Sequence, residues 1–425
     1  MGLGKAVQWH LKKRLTQGKG MGVKQIHYSW VICLTGIVVL FSCLGLGRFS
    51  LGVLLPSMSS SLQLNYSQMG LIGTGNFIGY ILSVLAAGRT VDLLGARKTI
   101  TMGLVLVGSS MMAISWASTF IAAFALYFVT GIGSGLANVP LMGLVSHWFT
   151  SETRGRAAGI MISGNGMAII FSGLFIPWIV MTCGSEGWRT GWLTIGAISL
   201  VVSLIAGLLL RNRPSEVGLA PLGKPPPEQS CQAEVNDCNP SDARRTMIHL
   251  GVIYLLFGVT YVVYVTFIVT AMVNERNFGE GAAGRFWAIV GALSLFSGPL
   301  FGWLSDKFSR KTAIIGAFAS YTVAYAFAAI YLSDYFLYAS IVIFGLVVWS
   351  IPTIMSAAVG DYMGPEQAVK AFGFITLFFG AGQIAGPALA GWLADVSGNF
   401  NMGFWLCSLL TACAGAIAYF LKKPE

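Results

Sequence analysis

Charge is what this chain has least of. Asp, Glu, Lys and Arg make up 10% of its 425 residues, whereas a soluble domain carries roughly 25%. A chain so poor in charge cannot coat itself for water. Acids are scarcer than bases, 16 against 26, and none of the 16 falls in the middle of an apolar run. Seven cysteines are present (Cys33, Cys43, Cys183, Cys231, Cys238, Cys407 and Cys413), mostly in apolar runs and without a CxxC pair, so neither a zinc site nor a disulfide framework is indicated. No Walker motif occurs, which argues against direct ATP drive. No convergent set of His, Cys and acidic residues suggests catalysis, and no cofactor or metal is expected. The basic N-terminus, MGLGKAVQWHLKKRLTQGKG, lacks an apolar core and a cleavage site, so it reads as a cytosolic tail and not as a cleaved signal.

What the chain does have is apolar length: 55% of residues are hydrophobic and the mean hydropathy is +0.73. A spanning helix needs about 20 apolar residues, and twelve such stretches occur, at 30–56, 67–88, 99–117, 120–146, 157–182, 190–210, 248–272, 281–303, 312–332, 336–358, 370–394 and 402–421. They are too long and too uniformly apolar for barrel strands, and only a helix satisfies its own backbone in lipid. The longest polar stretch joins spans six and seven and carries linker residues such as Lys224-Pro225-Pro226-Pro227. The expected organisation is a tail at 1–29, a six-helix bundle at 30–210, a linker at 211–247, a second six-helix bundle at 248–421 and a tail at 422–425.

Lysine and arginine give the orientation. With an even number of spans both termini share a side, and 22 of the 26 basic residues fall on that side; the remaining four are Arg48, Arg189, Arg276 and Arg285. Both termini and the linker are therefore expected in the cytoplasm. The net charge of +10 is membrane topology, not a nucleic-acid footprint. The halves also repeat. Gly88-Arg-Thr-Val-Asp92-Leu-Leu-Gly95-Ala-Arg97-Lys98 follows span two, and Gly302-Trp-Leu-Ser-Asp306-Lys-Phe-Ser309-Arg310-Lys311 follows span eight. Two related halves in tandem are the sign of a rocking transporter with its site between them.

The Gly88–Lys98 segment resembles the loop 2–3 signature of the major facilitator superfamily, G-x-x-x-D-x-x-G-x-R-K, and the degenerate copy in loop 8–9, the twelve spans and the long central loop extend the resemblance over essentially the whole chain. Gly47-Arg48-Phe49, Leu54-Leu55-Pro56-Ser57-Met58, Gly75-Asn76-Phe77-Ile78-Gly79-Tyr80 and Thr266-Phe267 look like the YbfB/YjiJ-type bacterial permeases. Arg213-Pro214-Ser-Glu-Val-Gly218-Leu219 is more distantly similar to the monocarboxylate and oxalate/formate branch. The chain departs from those branches at Thr130, where span four often has arginine; at Gly298, before Pro299, where monocarboxylate carriers tend to have arginine; and at Lys370, which sits at a span edge and not deep in span eleven. The fold the resemblance implies is an all-α membrane protein of twelve transmembrane helices in two pseudo-symmetric bundles. It also implies a conformational latch, made in one access state and broken in the other, at Gly88, Asp92, Gly95, Arg97 and Lys98, with Asp306, Arg310 and Lys311 in the second copy. A plain topogenic charge cluster is the alternative.

Arg48 stands apart. It lies eight residues before Pro56, so about 12 Å along the helix from that end. An arginine at a helix centre costs about 2.5–3.5 kcal/mol on insertion scales; at this depth the cost is smaller but still calls for a partner. With no acid inside any span, an anionic substrate is the natural one; snorkelling, or pairing with Glu186 or another loop acid, is the alternative. Tyr261 aligns with Arg48 across the repeat, and Tyr264 is on the same helix face three residues on. Asn76, Asn138, Asn165 and Gln383 are further candidates for substrate contact, with helix-to-helix hydrogen bonding as the alternative. Trp349, near Pro352, is a candidate lining residue. The function expected is a secondary active transporter that moves a small organic solute, an organic anion such as a carboxylate, across the plasma (bacterial inner) membrane by alternating access. A drug-efflux permease is the rival within the class, and a transporter-like membrane sensor the rival outside it. The expected partners are the small-molecule substrate, protons as the generic coupling ion, and membrane lipid; a monomer is expected.

Overall fold

The computed structural model describes residues 27–223 and 240–421. Residues 1–26 of the tail expected at 1–29, the tail expected at 422–425, and 224–239 of the linker lie outside the described residues. What is described is helical: α1 Tyr28–Leu62, α2 Tyr66–Leu94, α3 Ala96–Ile114, α4 Phe120–Trp148, α5 Ser151–Cys183, α6 Gly187–Leu209, α7 Pro240–Asn274, α8 Glu280–Lys307, α9 Arg310–Ala329, α10 Asp334–Met363, α11 Lys370–Ser397 and α12 Asn401–Tyr419. Eleven of these are long and apolar enough to cross a membrane. The other, α3, opens on Arg97-Lys98 and is 19 residues long. Together with the family comparisons below, this makes the chain an integral membrane protein.

Several boundaries differ from the sequence expectation. α1 does not stop at Pro56 but runs to Leu62, and the hydroxyls of Ser59 and Ser60 donate to the Pro56 carbonyl. α7 starts at Pro240, well before 248. The connection expected between spans ten and eleven is itself helical, since helical backbone continues from Ser350 to Ser397. Nor is the linker's first part a free tether. Leu222 pairs with the 148–150 backbone, its N–H donating to Trp148 O at 2.9 Å and its carbonyl accepting from Thr150 N at 3.1 Å.

Alternate connections along the chain divide the helix ends into two groups, termed faces. The basic face carries Arg89, Arg97, Lys98, Arg154, Arg211, Lys307, Arg310 and Lys311; the opposite face carries the turns at 63–65, 115–119, 275–279 and 398–400. Helices α1–α6 pack together chiefly through α2–α4, α3–α4 and α3–α6, and α7–α12 chiefly through α7–α11, α8–α10 and α9–α12. The two sets meet along α2–α11, α5–α8 and α1–α7. α7 is the most enclosed of the apolar spans.

Small residues let these helices touch. A Cβ on Gly131 of α4 would lie 2.0 Å from the Asn76 carbonyl of α2, so only glycine permits that approach. Between the two sets, the close contacts sit toward the opposite face. Thr74 donates to Ile384 O at 2.9 Å, Gly70 lies against Pro387, and Gly173 faces Gly284. At the very edge, Asp395 of α11 accepts from the backbone N–H of Tyr66 (2.9 Å) and Ser67 (3.0 Å) and from the Ser67 hydroxyl, while Ser57 donates to Glu280 at 2.6 Å. Toward the basic face, Gly88, Gly155, Gly159 and Gly373 have no neighbour within 4 Å of an added Cβ.

Candidate functional site

The backbone around Arg48 is irregular. Residues Phe41–Phe49 of α1 form a π-helix, a form found mostly in single-turn pieces at functional sites. The wider turn leaves carbonyls for side chains of α4: Ser134 donates to Cys43 O at 2.6 Å, and Tyr127 donates to Arg48 O at 3.1 Å. α10 breaks at Val348-Trp349, where the Trp349 N–H donates to Ser297 Oγ at 3.0 Å. The two irregular points meet, since the Phe49 and Trp349 rings stand edge-to-face at 5.9 Å. Non-helical backbone at membrane depth is tolerated where it is buried in protein or lines a cavity.

Because α1 extends to Leu62, Arg48 is deeper than the sequence implied, fourteen residues and about 21 Å from that end. Its guanidinium lies over the rings of Phe77 (4.5 Å) and Tyr80 (4.7 Å). Cation–π contacts contribute about 0.5–2 kcal/mol each, enough to offset part of the cost of placing arginine there. They supply no hydrogen-bond acceptor to its N–H groups. The edge remains: Nε and Nη2 are buried and have no hydrogen-bond partner among the described residues. A buried donor left unpaired costs about 1–3 kcal/mol, so this edge is built for an in-plane acceptor.

That edge borders a cavity of about 10 Å³ between the helix sets, lined by Arg48, Leu51, Asn76, Phe77, Tyr127, Tyr261, Val262, Val265 and Thr266. No acidic side chain is among its lining residues. Glu186, the loop acid weighed as a partner for Arg48, is occupied elsewhere: it pairs with Arg189 and accepts from Ser61 at 3.2 Å. The Arg189 hydrogen bond holds its carboxyl below the ordinary carboxylate value.

The structure brings Arg48, Asn76 and Tyr261 to one cavity. Trp349 adjoins it, its ring 6.0 Å from that of Tyr261. Tyr264 turns away into the core of the second set; its hydroxyl meets Ser340 at 2.9 Å and its ring stacks on Phe344 at 3.9 Å. Asn138 donates to the Tyr80 hydroxyl at 2.8 Å, one residue removed from Arg48. Asn165 and Gln383 are buried, with no partner for Asn165 Oδ1 or Gln383 Nε2 among the described residues, and neither lines the cavity. Arg285 is exposed. Tyr127 was not anticipated; a lone tyrosine in an apolar span carries no signal.

The two charged loop copies differ. Asp92 is exposed and has no ion-pair partner among the described residues, Arg97 included. Arg97 instead donates from Nε to Gly207 O at 2.7 Å, and its backbone N–H to Asn212 Oδ1 at 2.9 Å. In the second copy Arg310 pairs with both Asp306 and Asp361 and donates to Ser305 at 2.8 Å, and Lys311 lies over the Tyr419 ring. Gly88, Gly95 and Lys98 stand at the basic face, and Lys98 has no ion pair among the described residues. Among the described residues no cluster of three or more His, Cys, Asp or Glu could hold a metal.

Comparisons with known proteins agree with this architecture. The chain is 22% identical over 402 residues to the hexuronate transporter of Bacillus subtilis, covering 89% of this chain and 91% of the relative. It is 22% identical over 426 residues to the 4-hydroxybenzoate transporter PcaK of Acinetobacter baylyi, covering 93% and 91%. The crystal structure of a bacterial homologue of the human lysosomal transporter Spinster shares the fold, with a TM-score of 0.75 at 15% identity, covering 94% of this chain and 98% of that one. Residues 40–419 match the family model described as "Uncharacterised MFS-type transporter YbfB". The chain therefore belongs to the YbfB-type transporters of the major facilitator superfamily, a family of transporters and not of enzymes.

Proposed function

We propose that the chain is a secondary transporter that moves a small organic anion, a carboxylate, across the bacterial inner membrane by alternating access. The observation that carries this reading is Arg48: a deep guanidinium beside two aromatic rings, whose Nε and Nη2 have no partner among the described residues, and whose cavity is lined by no acid. A carboxylate accepts from such an edge in its own plane through two parallel hydrogen bonds. Tyr261 and Trp349 stand opposite, on helices of the second set. The names of the hexuronate and 4-hydroxybenzoate relatives denote carboxylates, which is consistent with the same class here.

In this reading the two helix sets are pseudo-symmetric six-helix bundles, 30–210 and 248–421, joined by the linker 211–247, and the protein works as a monomer. Both termini and the basic face are cytoplasmic, as the 22 of 26 basic residues on that side favour. The contacts near Asp395 and Glu280 form the closed outer gate. Asp92 is then the half of a latch that engages when the basic ends approach. No acid lines the cavity, so a coupled proton travels on the substrate carboxylate or on a group outside the site. The test is a thermal-shift screen of purified protein against organic anions and lipophilic cations, repeated with Arg48→Ala. Stabilisation by a carboxylate that is lost in the variant supports the proposal. Stabilisation by cations alone, or anion binding unchanged by the substitution, contradicts it.

A further inference from the structure

Two kinds of orphaned hydrogen-bonding atom border the Arg48 cavity, and together they describe a molecule more closely than charge does. Arg48 Nε and Nη2 are donors. Asn76 Oδ1 is an acceptor, also buried and also without a partner. The orientation of this amide is set by its neighbour: Nδ2 donates to the Tyr127 carbonyl at 3.2 Å, and a carbonyl can only accept, so the oxygen is the free end. Asn76 is 1% exposed and its Nδ2 is tied to the Tyr127 carbonyl, which holds the amide in place away from water.

A simple carboxylate satisfies the arginine edge and offers nothing to Asn76, because it has no proton to donate. A second carboxylate, a sulfonate or an ionised phosphate does no better. Each would add a negative charge where no second cation lines the cavity, and a buried unpaired charge is costlier than an unpaired neutral acceptor. A hydroxyl on the same molecule supplies the missing donor at no cost in charge. The lining contributed by Leu51, Val262 and Val265 is apolar and suits a carbon body, for which the cavity of about 10 Å³ widens as the two helix sets part. Resting on the reading of Arg48 as the anion anchor, we infer that the site takes small hydroxy-monocarboxylates, with the carboxylate in the plane of the Arg48 guanidinium and the hydroxyl donating to Asn76 Oδ1.

The experiment measures dissociation constants of the full-length protein in nanodiscs for matched pairs: 2-hydroxypropanoate against propanoate, 4-hydroxybenzoate against benzoate, and succinate as a dianion. Satisfying one buried acceptor predicts that the hydroxylated member of at least one pair binds about tenfold tighter, with succinate no tighter than propanoate. Asn76→Leu brings the two members of that pair to within about twofold while the deoxy member still binds, and Arg48→Gln abolishes both. Equal affinities within both pairs in the unsubstituted protein, tighter binding of succinate, or a hydroxyl preference that survives Asn76→Leu overturns the inference. Carboxylate binding that survives Arg48→Gln instead removes the anchor reading on which it rests, so the two failures are told apart. Because the matched pairs are compared in the unsubstituted protein, a variant that misfolds does not rescue the claim.

Discussion

Replacing Asp395 with alanine should loosen the contact between the two helix sets at the face opposite the basic one. The carboxylate belongs to α11, yet it caps the first turn of α2 in the other helix set, through Tyr66 N, Ser67 N and the Ser67 hydroxyl. Removing an N-cap costs about 0.5–2 kcal/mol, and an anion at a helix N-terminus contributes about 0.3–1 kcal/mol more. The site is exposed, so solvent screening trims the electrostatic part. A loss of about 1–2 kcal/mol shifts the ratio of closed to open by about 5- to 30-fold. The α2 end itself stays folded, because Asn65 caps it independently by accepting from Gln68 N at 2.8 Å. The assay is reaction of Met69→Cys with an impermeant maleimide, in a background where the native cysteines are serine. Met69 is 4% exposed and lines the cavity next to Asp395, so labelling reports opening. The expected result is labelling 5- to 30-fold faster in Asp395→Ala, with Asp395→Asn in between because its amide oxygen still accepts. An unchanged rate in the alanine variant would refute the assignment of Asp395 as a gate contact.

Other outcomes follow from the same geometry. Burial raises the Glu275 carboxyl above its ordinary value, against the opposing hydrogen bonds from Tyr331 and Phe400 N and the charge of Arg276. A raised acid binds its proton more tightly in the folded state, so its stabilising contribution is present at low pH and is lost as pH climbs from the ordinary carboxylate range through the raised value. Melting temperature in detergent should therefore fall more between pH 4.5 and pH 7 for the parent than for Glu275→Gln; parallel curves would count against this. Asn212 caps α3 from the linker, so Asn212→Ala should cost about 1 kcal/mol locally and speed amide exchange at Arg97 about fivefold; exchange at the parental rate would show that the linker does not brace this helix. Gly131→Ala drives a methyl group into the Asn76 carbonyl and should destabilise by about 1–3 kcal/mol, visible as a lower melting temperature; a variant as stable as the parent would mean α2 and α4 are less tightly apposed.

The gross architecture was legible because lipid enforces it. Stretches of apolar residues free of charge have few alternatives in a bilayer, and the spans expected from length alone reappear as helices. Ends were harder to place. Pro56 suggested a stop, but serine hydroxyls at 59 and 60 return to its carbonyl and the helix continues. Arg48 was legible as an isolated charge among apolar neighbours. Its surroundings were not, because no sequence rule marks the π-helix at 41–49. Phe77 and Tyr80 lay in a segment already singled out for its resemblance, yet their role as covers for the guanidinium depends on the register of α2 against α1. Tyr264 shows the limit of periodicity. Three residues from Tyr261 it shares a helix face, but the ring turns toward Phe344, since a nearly enclosed helix such as α7 offers packing partners all round. Asp395 carried no signal in sequence, because an acid at a span end is ordinary until the partner helix is known.

Solute counterflow tests the central claim most directly. Proteoliposomes loaded with an unlabelled carboxylate identified by the binding screen are diluted into a trace of the labelled compound, and uptake is followed over time. Arg48 as anchor predicts a transient overshoot for the parent protein and none for Arg48→Gln reconstituted to the same density. An overshoot of equal height and rate in the variant would contradict the account.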